Sequence, residues 1–140
     1  MKNVIELNKA LIETYFYEVW NKGDLTRLES IIDPSYINHN PSTADPIPGP
    51  EGLKPIILAM RNGIPDLFYE IQDTIITADH VVARVQVTGT HLGTLFGTPP
   101  TGKPFNIQQI NVERVKSGKI MEHWRVTDEL KMMRQLGLLQ

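Results

Sequence analysis

The sequence predicts an α+β fold in which a curved antiparallel sheet packs against helices, and two observations lead to this prediction. Apolar residues recur at helical spacing through most of the chain up to Asn62, whereas from Tyr69 onward they alternate with period two. The strands predicted after Tyr69 follow one another directly, without the strand–helix–strand alternation that is typical of a parallel sheet. The predicted order of elements is therefore α-α-β-α-β-β-β-β-α.

The first half of the chain is predicted to hold three helices and one short strand. A long amphipathic helix is indicated by apolar residues at helical spacing, namely Val4, Ile5, Leu7, Leu11, Ile12, Tyr15, Phe16, Val19 and Trp20. Gly23 ends this helix, and Asp24 caps a short second one. A short extended piece at 36–40 leads into a loop rich in proline and glycine. Pro50 then suits the first position of a third helix, predicted over 50–62.

The second half is predicted to form four strands and a closing helix. These strands begin at Tyr69 and continue over 81–91, 105–115 and 119–126, and the helix covers 128–136. The second of them places four apolar residues on one face, Val81, Ala83, Val85 and Val87. In the third, Phe105 and Ile107 share one parity, whereas Ile110 and Val112 share the other. We therefore expect a β-bulge near residues 108–109.

Length, charge and composition exclude several classes of protein. The 140 residues are expected to form one domain over 1–140, since domains typically span about 100–200 residues. A net charge of −2 argues against a nucleic-acid partner bound by phosphate neutralisation. The absence of cysteine excludes thiol catalysis, disulfides and cysteine-ligated metals. No apolar run resembles a signal peptide or a membrane span, so we expect a cytoplasmic protein without a membrane partner.

The last predicted strand carries two carboxylates on its apolar face. That face consists of Ile120, Glu122, Trp124, Val126 and Asp128. A buried carboxylate is costly unless it is paired or protonated, and its raised pKa suits a general acid or base. For Asp128 the alternative is an N-cap of the final helix. Glu122 and Arg84 are candidate substrate contacts, and the alternative for these two is an ion pair with each other.

His91 ends a strand and begins a glycine-rich loop over 89–102. A histidine in such a place suits acid–base work or the polarisation of a carbonyl, and the alternative is a hydrogen bond to the loop backbone. Lys103 is followed by Pro104 and a strand, not by the helix that a phosphate-binding loop requires. We therefore interpret the loop as the lid or rim of a cavity.

The histidines do not predict a metal site. His39, His91 and His123 lack the close spacing that makes such a site specific, and strand parity puts His123 on the opposite face from Asp128. His39 is a candidate substrate contact, although His-Asn-Pro also suits a turn. Other candidate pocket residues, which are alternatively ordinary core aromatics, are Tyr15, Tyr36, Phe96 and Trp124.

Several short motifs occur in a fixed order along nearly the whole chain. They are His39–Pro41, Pro48–Gly52, Pro65–Leu67, Gly89–Gly93, Gly97–Lys103 and Gly118–Trp124, followed by Asp128. In this order they resemble the SnoaL-like polyketide cyclases, also called ester cyclases, of the NTF2-like superfamily. The resemblance implies a cone-shaped, strongly curved antiparallel sheet that is closed by helices around a deep apolar cavity. It also implies a homodimer.

Cyclases of the family that this chain resembles close a ring by an intramolecular aldol condensation, with an aspartate as acid and base and without metal or cofactor. The resemblance maps Asp128 to that aspartate and His91 to an assisting role. Arg125 stands where an acidic residue is common in the family, which is a departure from its pattern.

The sequence therefore predicts an enzyme without cofactor that acts on a small apolar or aromatic carbonyl compound. Asp128 would remove a carbon-bound proton while His91 polarises the oxygen. One alternative is a dehydratase, isomerase or hydrolase with a His–Asp pair, and another is a non-enzymatic ligand-binding protein. The face expected to pair in a homodimer carries Val82, Gln86, Thr88 and Thr90.

Overall fold

The computed structural model describes residues 3–139 and has the predicted α+β architecture, with a curved five-stranded sheet packed against helices. The helices are α1 (Val4–Glu13), α2 (Leu28–Ile31), α3 (Pro50–Gly63) and α4 (Glu129–Gln135). The strands are β1 (Ile32–Asn38), β2 (Phe68–Ile76), β3 (His80–Thr90), β4 (Pro104–Lys116) and β5 (Lys119–Thr127). Within the described residues, no helix is both long enough and apolar enough to cross a bilayer.

The first helix changes its winding half-way. Asn3 caps α1 by accepting a hydrogen bond from the Glu6 N–H at 2.9 Å, and after Glu13 the chain continues as a π-helical segment over Thr14–Asn21. In a π-helix the bonds run from i to i+5, so successive side chains are separated by a smaller angle. Two adjacent pairs therefore face the core together, Tyr15 with Phe16 and Val19 with Trp20.

Two asparagine side chains join the helical layer to the sheet. The side chain of Asn21 accepts from the Tyr69 N–H at 2.7 Å and donates to the Tyr69 carbonyl at 2.8 Å, as a neighbouring strand would. Asn8 donates to the Thr77 carbonyl at 2.9 Å. These bonds satisfy backbone groups of the edge strand β2 and of Thr77 directly after it, so the helices cover part of an edge that would otherwise be unpaired.

The strand order is β1-β5-β4-β3-β2, and one pairing differs from the prediction. β1 runs parallel to β5, whereas the other neighbours are antiparallel. The prediction of an antiparallel sheet therefore holds for β2–β5 and not for β1. A hairpin forces its two strands to be antiparallel, but β1 and β5 are joined through the rest of the fold, so no turn constrains their direction.

The predicted bulge near residues 108–109 is absent. β4 pairs with β3 in continuous register from Pro104 opposite Thr90 to Arg114 opposite His80. Its buried residues are Phe105, Ile107, Gln109, Asn111, Glu113 and Val115, which share one parity throughout. The change of apolar phase in the sequence arises because polar side chains occupy the inner face, while Ile110 on the outer face is 49% exposed.

The bulge that decides which side chains of the β4–β5 pair face inward lies on β5 instead, and β2 carries another register shift between Ile71 and Asp73. Val115 pairs with Ile120 but Arg114 pairs with Glu122, which leaves Met121 as the extra residue. After Met121 the faces of the strand are exchanged, so Ile120 and His123 are both buried. The predicted apolar face over 120–128 is therefore wrong beyond Ile120.

The outer face of the sheet is the face predicted to pair in a homodimer. Val82, Gln86, Thr88 and Thr90 alternate with the buried residues of β3 and are partly exposed. Val126, on the same sheet, is 75% exposed. The homodimer stays a prediction.

Candidate active site

A cavity of about 640 Å³ lies between the inner face of the sheet, α4 and two loops. Its apolar lining includes Val87, Leu95, Phe105, Ile107, Met132 and Leu136. The loop predicted to form a rim contributes His91, Leu95 and Phe96, and the proline- and glycine-rich loop after residue 40 contributes Pro41 and Ser42. A volume of this size is typical of small-molecule sites, which measure about 300–1,000 Å³.

Polar side chains form a ladder across β4 and β5 on the inner face. Three cross-strand pairs follow one another, Gln109 with Thr127, Asn111 with Arg125 and Glu113 with His123. The pair of Gln109 and Thr127 lines the 640 Å³ cavity, as does Arg125. The ladder therefore leads from the cavity to the buried pair of Glu113 and His123.

A second, much smaller pocket lies along this ladder. Gln109 and Arg125 line both spaces, and the inner pocket is also lined by Tyr15, Asn111 and His123. Its volume of about 10 Å³ is close to what one water molecule needs, which is roughly 10–15 Å³. The interior thus has a wide outer chamber for a ligand and a narrow inner end with ionisable groups.

Glu113 and His123 form a buried pair at the inner end. Nδ1 of His123 lies 2.6 Å from Oε1 of Glu113, and the side chains are 4% and 1% exposed, respectively. Burial raises the pKa of Glu113, while His123 and Arg125 lower it. When Nδ1–H donates to the carboxylate, Nε2 of the neutral ring is an acceptor, and His123 lines the inner pocket.

Three buried tyrosines surround the ladder, Tyr15, Tyr36 and Tyr69. Burial raises the pKa of each, that of Tyr69 to about 12, so all three phenols are protonated donors at neutral pH. The charge of Glu113 raises the pKa of Tyr15 and Tyr36 further. The Tyr36 hydroxyl and Oε2 of Glu113 are buried without a hydrogen-bond partner among the described residues.

Arg125 is held in place by the loop after β1. Its Nη2 donates to the Asn40 carbonyl at 3.0 Å and to Oγ of Ser42 at 3.2 Å. Its backbone N–H donates to Oδ1 of Asn40 at 2.8 Å. Within residues 3–139 its guanidinium forms no ion pair, so the site contains a fixed cation between the two spaces.

His91 directly follows β3, at the end of that strand remote from Glu113, and it lies in the wall of the outer chamber. It is 1% exposed, and its Nδ1 accepts from the Thr101 N–H at 3.3 Å. A backbone donor at Nδ1 leaves the proton on Nε2, which is buried without a partner in the described structure. His91 therefore offers a donor to a ligand in the cavity that it lines.

Comparison with known proteins identifies the family. The sequence model described as SnoaL-like polyketide cyclase matches residues 10–136. The chain belongs to this family. It is similar to the aklanonic acid methyl ester cyclase DnrD of Streptomyces peucetius, with 29% identity over 98% of this chain and 92% of that protein. The predicted family is confirmed.

Solved structures support the same assignment of this SnoaL-like protein. TsrD from Streptomyces laurentii is similar with a TM-score of 0.86 and 28% identity, over 96% of this chain and 97% of that one. IdmH from Streptomyces antibioticus is 34% identical with a TM-score of 0.78, over 94% of this chain and 99% of that one.

Asp128 of this SnoaL-like protein does not lie in the cavity. It is exposed, and its Oδ1 accepts from the Lys131 N–H at 3.2 Å as the N-cap of α4. The expected placement of Asp128 on the apolar face is wrong, because the bulge at Met121 exchanges the two faces of β5. His91 bonds with Thr101 rather than Asp128, and the buried histidine–carboxylate pair is Glu113–His123.

Four other predicted residues also lie outside the cavity, on the outer face of the sheet or beside it. Glu122 bonds through Oε1 with Nε of Arg114 and through Oε2 with Nε2 of His39, both at 2.7 Å. These bonds lower the pKa of Glu122, with His39 as the larger cause. Trp124 stacks on His39 with ring centroids 4.7 Å apart. Arg84 lies opposite Ile110 on the outer face, so the expected Glu122–Arg84 pair is also wrong.

The predicted aromatic residues divide between the two spaces. Phe96 lines the outer chamber and is 43% exposed, and Tyr15 lines the inner pocket. Tyr36 is buried beside the ladder but lines neither space.

The polar residues of β4 were missed in the sequence because they interrupt the apolar face. Gln109, Asn111 and Glu113 have the same parity as Phe105 and Val115, which are buried. An unbroken period of two from Phe105 to Val115 was the available signal, and it places all three polar side chains inside. In the described part of the chain, no three His, Asp or Glu side chains cluster as metal ligands.

Proposed function

We propose that this protein is a polyketide cyclase-type enzyme that transfers a proton at the carbon next to a carbonyl group, with His123 as the general base. One observation carries the proposal, the buried Glu113–His123 pair, whose histidine lines the small inner pocket that shares Gln109 and Arg125 with the 640 Å³ cavity. A buried histidine oriented by a carboxylate is the arrangement that makes imidazole an effective base.

The reaction begins when Nε2 of His123 removes the carbon-bound proton. The carboxylate of Glu113 stabilises the imidazolium that forms, and the charge left on the substrate is delocalised onto the carbonyl oxygen as an enolate. Tyr15 shares the inner pocket with His123, and its raised pKa keeps its hydroxyl available as a donor to that oxygen. The pocket of about 10 Å³ has room for about one water, which can bridge Nε2 of His123 to a substrate in the outer chamber.

Ring closure then follows from the enolate. Its carbon attacks a second carbonyl carbon of the same molecule, a carbon–carbon bond forms, and the carbonyl π bond breaks to give an alkoxide. The imidazolium of His123 returns its proton to that alkoxide, so protons and electrons balance without a co-reactant. The apolar wall of the chamber, with Phe105 and Ile107, keeps bulk water from the enolate.

A ligand-binding protein without a base was one of the two alternatives left open by the sequence. Asp128, the base expected from the sequence, caps α4 through the Lys131 N–H, which on its own would favour the binding protein. Glu113, however, is an interior carboxylate that bonds with a histidine rather than an arginine. This arrangement favours the enzyme over the binding protein.

The test uses aklanonic acid methyl ester, the compound in the name of the S. peucetius relative, in D₂O. We expect the wild-type protein to incorporate deuterium at the activated carbon and to form cyclised product. His123→Gln should lower both rates by about 10²–10⁴-fold, the usual contribution of a general base. His80→Gln, at a partly exposed histidine bonded to Asp79, is the matched control and should keep the wild-type rate.

Two results would contradict the proposal. If the wild-type protein neither exchanges nor cyclises this probe, the proposed cyclase-type proton transfer fails. If His123→Gln retains the wild-type rate with its fold intact by circular dichroism, His123 is not the base.

A further inference from the structure

Arg125 is a cation in the wall of the site, and its position suits an anionic group of a ligand. We propose that Arg125 anchors a carboxylate of the substrate, so that this cavity prefers an apolar carboxylic acid to the corresponding neutral ester. The inference rests on the proposed function, which puts the reacting centre at His123, and it adds the chemical class of the ligand.

The location of Arg125 suits an anchor. Arg125 lines both the outer chamber and the inner pocket, and Gln109 is the other residue that lines both. His123 precedes it by two residues on the same strand, a separation of about 7 Å along an extended chain. A carboxylate on Arg125 therefore leaves the neighbouring part of the ligand within reach of the His123 ring.

The bonds to Arg125 leave part of its guanidinium free for a ligand. Only Nη2 bonds to protein, and both of its acceptors, the Asn40 carbonyl and Oγ of Ser42, are uncharged. Among residues 3–139, Nε and Nη1 of Arg125 have no hydrogen-bond partner. A partly buried cation without a counter-ion is unfavourable, and a charge-assisted hydrogen bond to a carboxylate offsets that cost.

The surrounding groups favour an anion as well. Oγ1 of Thr127, two residues beyond Arg125, is buried and lacks a partner in the described chain, so its hydroxyl can donate to the same carboxylate. Its cross-strand neighbour Gln109 and the Arg125 partner Asn111 are neutral amides. The ligand group thus meets donors and a positive charge on this side of the chamber.

The two acidic residues nearest the site do not replace this anion. Glu113 is bonded to His123 at 2.6 Å, one pair deeper on the ladder. Glu129 lines the mouth of the chamber and is exposed to solvent. Neither forms an ion pair with Arg125.

The lining of the rest of the outer chamber indicates the chemical character of the remainder of the ligand. Val87, Leu95, Phe96 and Met132 are among the apolar side chains that face it. The ligand class is therefore an acid with an extended apolar or aromatic body, bound with its carboxylate inward at Arg125 and its apolar part against this wall.

The test compares anthraquinone-2-carboxylate with its methyl ester, which share one aromatic body and differ in charge. Dissociation constants are measured by isothermal titration calorimetry at pH 7. We expect the wild-type protein to bind the acid at least about tenfold more tightly than the ester, the usual gain for a hydrogen bond to a charged group. Arg125→Gln should lose this preference, and Arg125→Lys should keep part of it because the charge remains.

Arg114→Gln is the matched control, since Arg114 lies on the outer face of β4 and pairs with Glu122. It should keep the wild-type preference for the acid. Equal affinity for the acid and the ester in the wild-type protein overturns the inference without any variant. A preference that survives in Arg125→Gln also overturns it, since the anchor must then lie elsewhere.

The outcome is separable from that of the proposed function. His123→Gln should keep the acid preference while it loses proton exchange. If the wild-type protein binds the acid and the ester equally and His123→Gln is slow, the carboxylate anchor is rejected and the base is supported. A retained preference with a His123→Gln enzyme of wild-type rate supports the anchor and rejects the base.

Discussion

Nδ1 of His123 lies 2.6 Å from Oε1 of Glu113, across the pairing of β5 with β4 and inside the core. The extra residue at Met121 produces this relationship, because it turns His123 to the inner face while Ile120 remains there. Without the bulge, Glu122 would face inward and His123 outward. A local irregularity of one residue therefore determines which ionisable groups meet in the interior.

Glu113 should make stability depend on pH in a recognisable direction. Burial raises its pKa in the folded protein above the usual value of 4.5. Its contribution to stability is therefore complete below the unfolded pKa and is lost as pH rises through the folded pKa. We expect Glu113→Gln, which stays neutral, to gain stability relative to wild type as pH rises from 4 to 8, by at most about 1.4 kcal/mol per pH unit.

Urea unfolding of both proteins across this pH range measures the difference. Glu122→Gln is a control of opposite sign, because bonds with His39 and Arg114 lower the pKa of Glu122. That lowered pKa adds stability above the unfolded pKa, and the addition is lost as pH falls through the folded pKa. Glu122→Gln should therefore lose stability relative to wild type as pH rises. If the stability difference from wild type changes with pH in the same direction in both variants, the pKa of Glu113 is not raised in the folded protein.

Asp128 should act on stability and not on catalysis. Its side chain caps α4 through the Lys131 N–H at 3.2 Å. Asp128→Ala is expected to lower the free energy of unfolding by about 1 kcal/mol, whereas Asp128→Asn keeps the cap and should differ by a few tenths at most. Proton exchange on the ester probe should stay within about threefold of wild type in both. A hundredfold loss in a stable Asp128→Asn protein would restore Asp128 as the base.

His91 should affect substrate binding more than the chemical step. Glu113 pairs with Val81 at one end of β3, and His91 follows the other end, ten residues along. At about 3.3 Å per residue of extended strand, His91 is too distant to share reacting atoms with His123. His91→Leu should raise KM by about tenfold and change kcat by less than about threefold, as expected for lost ground-state binding.

Steady-state kinetics on aklanonic acid methyl ester, read as cyclised product, separates these two parameters. Leu92→Ala, at an exposed side chain next to His91, is the neighbouring control and should leave both unchanged. A drop in kcat of a hundredfold with an unchanged KM would assign His91 to the chemical step, as the sequence first predicted.

The sequence was a sound guide wherever an apolar pattern and a turn signal agree. The apolar alternation at Val81 and Val85 located β3 closely, the strands predicted over 105–115 and 119–126 correspond to β4 and β5, and Pro50 marked the start of α3. The short motifs led to the family, which the match over 10–136 confirms. Each of these signals is local, so neighbouring residues are enough to interpret it.

The candidate site was harder to predict for two physical reasons. Gln109, Asn111 and Glu113 are polar on a buried face, so a rule that places apolar residues inside assigned the wrong parity to the end of β4. On β5, the extra residue at Met121 exchanges the faces, and nothing in the composition of that strand announces it.

The amino-acid sequence by itself determined the α+β class, the elements and the family. Only the tertiary structure decided which side chains meet, because cross-strand partners are set by register and by one bulge rather than by chain order. In the folded protein Glu113 bonds with His123, and Arg125 lies between the outer chamber and the inner pocket. Asp128 is on the surface. A one-residue change of register reverses every side chain that follows, and this is why the fold was predictable before its interior chemistry was.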